Sequence, residues 1–264
     1  MARGLVTTST GEIVREDSPY SHGLTVFYVK EVLWEPLCGE VETIVYQDDE
    51  ILVADKPHGM PVTPSGNHVA RALLNRLQER TGIEDLAPLH RLDRDTAGLI
   101  LFGVKPRSRG HYHQLFANGT IERGYLAVAR LRDNPAERHW IVKNQLAAGE
   151  PWFRRQIVEN APVNAITTID LIETHEGLGL FHLFPGTGKK HQLRLHMSSI
   201  GFPILGDLLY PEIRRPEPST PPLQLLAARL AFIDPLTGVQ RKFESSLRLL
   251  LPRSEGESTI DNSR

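Results

Sequence analysis

The stretch "LHRLDRDTAGLILF" (Leu89–Phe102) joins a charged loop to an apolar strand and says more about the fold than any other segment. Asp93 lies two residues after Arg91 and directly before Arg94, and Gly98 leads into the apolar run. One interpretation is a plain turn, in which Asp and Thr bond local backbone donors and glycine takes a positive φ. The other is a reactive carboxylate that basic neighbours keep charged at the end of a buried strand. Taken alone, the stretch favours the turn.

On both sides of this stretch the pattern predicts strands in hairpins with a few helices between them. One helix is predicted over "HVARALLNRLQERTG", where Gly82 can end it. Its apolar face consists of Val69, Leu73, Leu74 and Leu77. Further helices are predicted over "SRGHYHQLFANG" and "KKHQLRLHMSSIG", and strands over Thr25–Trp34, Thr43–Tyr46, Ile51–Ala54, Arg123–Leu131 and in hairpins around "THEGLG" and "DPLTG". This order indicates an α+β fold around a largely antiparallel sheet.

Composition describes an ordinary globular chain of 264 residues, of which 40% are hydrophobic and 23% charged. The net charge is −2, so a surface for nucleic acid requires local clustering of cations. The single cysteine, Cys38, excludes an internal disulfide and fits a reducing cytosol. No apolar stretch reaches the roughly 20 residues of a membrane span, and the N-terminus lacks a signal-peptide core. A cytoplasmic protein is expected.

The motifs that usually mark cofactor and metal chemistry are missing. The sequence contains no GxxxxGK[ST], no GxGxxG after a strand, no HExxH and no GxSxG. In "HYH", His111 and His113 lie about 200° apart around the predicted helix, so we interpret them as exposed or capping residues. Neither a cofactor nor a metal is therefore predicted.

Two further stretches gain meaning beside the first. "RGYLAVA" places Tyr125 at the head of a strand, where a tyrosine is usually a core or rim residue. "PGTGKKHQLRLHMSSIGFPILGDLLY" (Pro185–Tyr210) puts Lys190 and Arg194 four residues apart on the predicted helix, after a glycine-rich loop. Such a basic face is either solvated or binds phosphate. Together the three stretches suit a pocket that binds an anionic polymer and acts on it with one carboxylate.

Four motifs in order resemble those of the RluA-type pseudouridine synthases. "HRLDRDTAGLILF" resembles HRLDxxTSGLLL, "RGYLAVA" resembles K-x-Y-x-A-x-V, and the third stretch resembles L-x-P-x-TGRxHQIRxHxxxxGxPIxGDxxY. Upstream, "ILVADKPHGMPVTPSG" is similar to V-x-x-KPxGxxVHP. The resemblance covers roughly residues 43–240. It implies the family's catalytic fold, with a mixed sheet flanked by helices and a central active-site cleft.

The resemblance implies isomerisation of uridine to pseudouridine in RNA, without a cofactor. The N1–C1′ bond breaks, the base turns, and C5 joins C1′. The family's catalytic aspartate falls on Asp93, as a nucleophile at C1′ or a base at C2′. The family's arginine falls on Arg194, whose planar fork would grip that carboxylate, and its tyrosine falls on Tyr125, which would stack on the base and assist proton transfer at C5.

The same resemblance implies a set of substrate-binding residues. Arg91 would hold the flipped-out conformation of the RNA, since chemistry on a base requires taking it out of the stack. Lys189 and Lys190 would contact phosphates, and Leu193 would line the pocket or the core. The implied substrate-binding set is Arg91, Lys189, Lys190, His191, Gln192 and Leu193.

Three positions depart from the family pattern. Ala97 stands at the usual Ser, Lys189 at the usual Arg, and Leu226 where many relatives carry His. We expect residues 1–40 to be an N-terminal extension without an S4 domain, 41–252 to be the catalytic domain, and 253–264 to be a disordered tail. The expected partner is ribosomal or transfer RNA, with no membrane association, and the expected state is a monomer.

Two other functions stay open at this level. A catalytically silent RNA-binding relative would have replaced Asp93, Tyr125 or Arg194, and all three are present. A glycoside hydrolase would need a second carboxylate, for which Asp95 is the candidate. We expect Asp95 instead to pair with a neighbouring arginine, Arg94 or Arg91.

Overall fold

The computed structural model describes residues 6–28, 41–64, 71–131 and 135–250. Within these ranges the chain forms a mixed sheet of eleven strands, a separate two-stranded sheet and three helices. The strands are β1 (Val6–Thr8), β2 (Val26–Tyr28), β3 (Thr43–Gln47), β4 (Ile51–Lys56), β5 (Ala87–Pro88), β6 (Ala97–Gly103), β7 (Glu122–Arg130), β8 (His139–Ala148), β9 (Arg155–Val158), β10 (Ala165–His175), β11 (Leu178–Pro185), β12 (Leu225–Ile233) and β13 (Gln240–Glu244). The helices are α1 (Leu73–Thr81), α2 (Arg109–Ala117) and α3 (Gln192–Ser199).

The large sheet has the order β3-β4-β6-β12-β7-β11-β10-β8-β9, with β13 on β12 and β5 on β6. Neighbouring strands run antiparallel except β6 and β12, which are parallel. The α+β fold with a largely antiparallel mixed sheet is therefore confirmed. No helix in the described ranges is long and apolar enough to cross a membrane.

Strands β4 and β6 form the buried centre of the molecule, and every residue in both is buried. Leu52 and its neighbours pack with α1 through Leu73, whereas Val53 packs with α2 through Tyr112. Successive side chains of a strand point to opposite faces, so the two helices cover opposite faces of the sheet. Helix α3 packs on β7, β10 and β11 through Leu193 and the residues around it.

Gly98 allows β6 and β12 to approach each other. Its φ is +110°, and a Cβ at this position would lie 2.3 Å from the carbonyl oxygen of Ala227. Only glycine fits such a backbone contact. The parallel pairing beside it joins Ala97 to Leu226, two of the departures from the family pattern, and both are buried.

The predicted hairpins and the second helix are confirmed, but other boundaries differ. Helix α1 begins at Leu73, after an extended Ala72, and ends at Gly82 in the left-handed region as predicted. Val69 lies outside the described residues, as do the end of the strand predicted over Thr25–Trp34 and the predicted tail. Strands β8 and β9 were not predicted.

The predicted basic face of the third helix is wrong. Helix α3 begins at Gln192 because His191 takes a left-handed backbone conformation, with φ at 57°. Lys190 therefore precedes the helix, and Arg194 is buried with 3% of its surface exposed. The lysines lie on the loop, and the arginine faces the interior.

Candidate active site

All nine residues proposed from sequence line one open cleft of about 920 Å³. Its walls are the loop before β6, the first half of β7, and the segment from Pro185 to Arg194. The nine are Arg91, Asp93, Tyr125, Lys189, Lys190, His191, Gln192, Leu193 and Arg194. Residues far apart in sequence thus meet at one place, because β6, β12, β7 and β11 are neighbours in the sheet.

Asp93 is the one carboxylate among the described residues that line the cleft. Its carbonyl accepts a hydrogen bond from the Thr96 amide at 3.1 Å, so the turn interpretation is also correct. Its side chain is 28% exposed, and His191 Nε2 lies 3.9 Å from its Oδ2. Asp95 pairs with Arg94 at 2.9 Å, as expected, and does not line the cleft. The second carboxylate of a glycoside hydrolase is therefore not in place.

Lys56 fixes the backbone beside Asp93. Its buried ammonium donates to the carbonyl oxygens of Pro57, Met60 and Arg94 at 3.0, 2.8 and 2.9 Å. His58 adds a hydrogen bond from Nδ1 to the carbonyl oxygen of Asp95 at 2.9 Å. Three carbonyls satisfy the three donors of an ammonium. The end of β4 therefore fixes the position of the loop at Arg94, the residue that follows Asp93.

Arg194 forms a bidentate ion pair with Asp207, not with Asp93 as predicted. The Nε–Oδ2 and Nη2–Oδ1 distances are 2.7 and 2.6 Å, and both side chains are nearly inaccessible to solvent. Burial alone would lower the pKa of Arg194, but hydrogen bonds and charge from Asp207 outweigh burial and raise it. The charge of Asp93 acts in the same direction, so Arg194 still stabilises that carboxylate through space.

Tyr125 stands on β7 with 9% of its surface exposed. Burial raises the pKa of its phenol, Arg123 opposes this effect, and the charge of Asp93 adds to it. The phenol is therefore neutral at physiological pH and can donate a proton. Leu193, 7% exposed, belongs to both the core and the cleft wall, as predicted.

Gln192 does not have the substrate-binding role expected of it. Its amide oxygen accepts from the Thr187 hydroxyl and the Lys189 amide at 2.7 and 3.0 Å. Its amide nitrogen donates to the Ile166 carbonyl and the Thr167 hydroxyl, both at 2.9 Å. A glutamine side chain has two donors and two acceptor sites, and here all are used. Gln192 therefore shapes the loop that carries the lysines.

Sequence reasoning missed several cleft residues, among them Arg123 and His90. Arg123 lies two positions before Tyr125, hence on the same face of β7, and its Nη2 donates to the Pro185 carbonyl at 3.2 Å. His90 accepts the Leu101 amide on Nε2 at 3.0 Å, and desolvation, with the charge of Arg123, lowers its pKa to about 3. The period-two rule applied from Tyr125 would have found the arginine.

The two histidines of "HYH" are exposed on α2, and His113 lines the rim of the cleft. Among the described residues, no group of three or more His, Cys, Asp or Glu side chains is placed to hold a metal ion.

A single carboxylate in a cation-lined cleft is typical of a site that acts on a polyanion. The family model for RNA pseudouridylate synthases matches residues 50–199. The chain belongs to this family, and its relatives support the RluA-type branch. It is an RNA pseudouridine synthase, an isomerase.

Two relatives show the extent of the similarity. A "Ribosomal large subunit pseudouridine synthase D" of Zymomonas mobilis is 28% identical over 94% of this chain and 83% of the relative. A "tRNA pseudouridine synthase C" of Vibrio vulnificus is 30% identical over 82% of this chain and 97% of the relative. The solved structure "Human RNA Pseudouridylate Synthase Domain Containing 1" shares the fold, with a TM-score of 0.66 over 80% of this chain and 86% of that one, at 22% identity.

Proposed function

We propose that this enzyme isomerises specific uridines of ribosomal or transfer RNA with Asp93 as its catalytic carboxylate. The observation that carries the proposal is the convergence of Asp93, Tyr125 and the buried Arg194 on one cleft. A catalytically silent role is not favoured, because all three residues are present and brought together.

Each residue has a role that its surroundings support. Asp93, partly exposed before RNA binds, attacks C1′ or removes the C2′ proton once the target base is flipped into the cleft. Tyr125 stacks on that base and assists the proton transfer at C5. Arg194 supplies positive charge from a fixed position behind the carboxylate, and Arg91 holds the RNA backbone open.

The names of the relatives support two classes of RNA substrate. One is named for the large ribosomal subunit and one for transfer RNA, so both are candidate substrates. We propose that residues 41–252 form the catalytic domain, that residues 1–40 are an N-terminal extension to it, and that the enzyme is a monomer in the cytoplasm. Mapping pseudouridines in cells with and without the gene would identify the target.

Asp93→Asn tests the proposal. It preserves size and hydrogen bonding but removes the charge, so we expect RNA binding to persist and pseudouridine formation to stop. Asp95→Asn is the matched control, since that carboxylate pairs with Arg94 outside the cleft and should retain activity. Wild-type turnover by Asp93→Asn on a verified substrate would refute the proposed role.

A further inference from the structure

Tyr210 and His191 form a hydrogen-bonded chain behind Asp93 that no role so far explains. The Tyr210 hydroxyl accepts the backbone N–H of Arg155 at 2.7 Å. The same hydroxyl lies 3.0 Å from His191 Nδ1. On the far side of the imidazole ring, Nε2 lies 3.9 Å from Asp93 Oδ2. The three groups thus lead from the start of β9 to the carboxylate.

The hydrogen bonds decide which nitrogen of His191 carries the proton. Because the Tyr210 oxygen already accepts from Arg155, its own hydrogen is best used as a donor to His191 Nδ1. In the opposite arrangement Nδ1–H would donate to the Tyr210 hydroxyl, and the Nε2 lone pair would face the negatively charged carboxylate of Asp93. Burial also lowers the pKa of His191 to about 4, so the ring is neutral at physiological pH and holds one proton.

Both residues are held rigidly in this arrangement. His191 is a non-glycine residue with φ at 57°, a backbone conformation that costs free energy and is common at functional sites. The Tyr210 ring lies under the guanidinium groups of Arg154 and Arg194, at 4.9 and 5.5 Å from its centroid. Asp207 Oδ1 accepts the Tyr210 amide at 3.1 Å, which joins the tyrosine to the partner of Arg194. The segments "HQLR" and "DLLY" therefore interlock.

We propose that His191 is a positioning residue that donates its Nε2–H to Asp93 in the RNA complex, with its tautomer set by Tyr210. At 3.9 Å the contact is too long for a hydrogen bond before RNA binds. Catalytic hydrogen bonds are often long in the unbound enzyme and shorten in the substrate complex. RNA that covers the exposed part of Asp93 removes the water that competes for the carboxylate, and no proton leaves the histidine.

The inference rests on the proposed role of Asp93 and concerns the orientation of that carboxylate during turnover. Loss of the hydrogen bond leaves the carboxylate free to turn away from the sugar, which lowers kcat and leaves RNA binding unchanged. The charged and titratable groups that also act on Asp93 or His191 are Lys190, Arg194, Asp207 and Tyr125. Each remains in place in the variants below.

Tyr210→Phe removes the hydroxyl and keeps the ring. We expect kcat to fall about tenfold with KM for RNA little changed. Tyr112→Phe is the matched control, because it removes another buried phenol oxygen, one bonded to Asp234 at 3.3 Å and outside the cleft lining. Wild-type kcat in Tyr210→Phe would overturn the proposal.

Two substitutions at position 191 test which ring nitrogen of the histidine is needed for turnover. His191→Gln can place an N–H near the position of Nε2, whereas His191→Asn reaches only the position of Nδ1, although Asn tolerates the left-handed backbone well. The proposal expects the Gln variant to retain more turnover than the Asn variant, and equal activities would contradict it. A purely structural role would favour Asn.

The tautomer can be measured without any variant. Nitrogen-15 NMR of the wild-type protein should show His191 with Nε2 protonated and Nδ1 unprotonated, and the reverse assignment would overturn the proposal. Asp93→Asn separates the two hypotheses. If Asp93→Asn is active, the proposed function fails. If Asp93→Asn is inactive while Tyr210→Phe behaves as wild type, only the positioning role fails.

Discussion

Arg123 is a cation in the cleft wall whose charge has no carboxylate partner among the ion pairs of the described residues. Its Nε is buried and has no hydrogen-bond partner among the described residues. A buried unsatisfied donor is costly, and a phosphate of bound RNA would satisfy it. Its charge lowers the pKa of His90 and opposes the rise in the pKa of Tyr125, so it lies close to both.

We predict that Arg123→Gln weakens RNA binding more than it reduces turnover at saturating RNA. The slope of log affinity against log salt should decrease by about one, as expected for one lost phosphate contact. Arg130→Gln, at the exposed far end of the same strand, is the control and should leave the slope unchanged. An unchanged slope in Arg123→Gln would mean that this arginine serves only the fold.

The pair of Arg194 and Asp207 makes a second prediction for single residues. Arg194→Ala and Asp207→Ala should each lower the free energy of unfolding by about 3–5 kcal/mol, because each leaves a buried charge unpaired. The double variant should cost clearly less than the sum, since neither charge then remains. Urea unfolding of the four proteins would measure the coupling, and strictly additive losses would contradict the ion pair.

Single residues also show how much of the candidate site could be predicted from the sequence. Motif order placed Asp93 and Tyr125 correctly in the cleft, because their positions depend on local turn and strand chemistry. The partner of Arg194 was misassigned, because Asp207 lies thirteen positions further along and meets the arginine only through the fold of the intervening chain. Gln192 was misjudged for the same reason, since its partners on β10 are distant in sequence.

At the scale of elements, helix α3 is fixed to the sheet by buried polar groups. His196 Nδ1 lies 2.8 Å from the Thr167 hydroxyl on β10, and its Nε2 lies 3.0 Å from the Asn144 oxygen on β8. Nε2 faces an amide oxygen and therefore carries the proton of the neutral ring, so Nδ1 accepts the hydrogen of the Thr167 hydroxyl, which in turn accepts from Gln192. The helix that carries Arg194 therefore depends on β8, a strand that was missed because its alternating exposed residues mimic a polar loop.

This network predicts a pH dependence of stability. Burial lowers the pKa of His196 to about 4, below the ordinary value near 6.5, so the unfolded chain binds more protons between these pH values. Stability should therefore be lost as the pH falls from about 6.5 toward 4. At pH 5 the loss from this residue is on the order of 2 kcal/mol.

His196→Gln removes the titrating group, so the variant, although less stable at pH 7, should lose less on acidification. Urea unfolding of both proteins at pH 7 and pH 5 would compare the two losses. His111→Gln, at an exposed histidine on α2, is the matched control. Equal acid sensitivity in wild type and His196→Gln would exclude His196 as the source.

At the scale of the molecule, the distribution of charge explains how a protein with a net charge of −2 presents a basic surface to RNA. The cleft is lined by six cationic side chains and one carboxylate. The cations are Arg91, Arg94, Arg123, Lys189, Lys190 and Arg194. Composition alone could only require such clustering, because which charges share a surface depends on the order of strands in the sheet. The compensating acidic residues lie elsewhere on the protein.

The last prediction tests whether this local charge governs RNA binding. Replacing both Lys189 and Lys190 with Gln leaves the buried groups of the cleft unchanged, because both lysines are exposed on the loop before α3. We expect affinity to fall strongly at low salt and the salt slope to decrease by about one unit per lysine. Turnover at saturating RNA should fall far less. The control replaces Lys143 and Lys242, two exposed lysines outside the cleft lining, and removes the same total charge. If both double variants lost affinity equally, binding would follow overall charge, and the cleft would not be the electrostatic site for RNA.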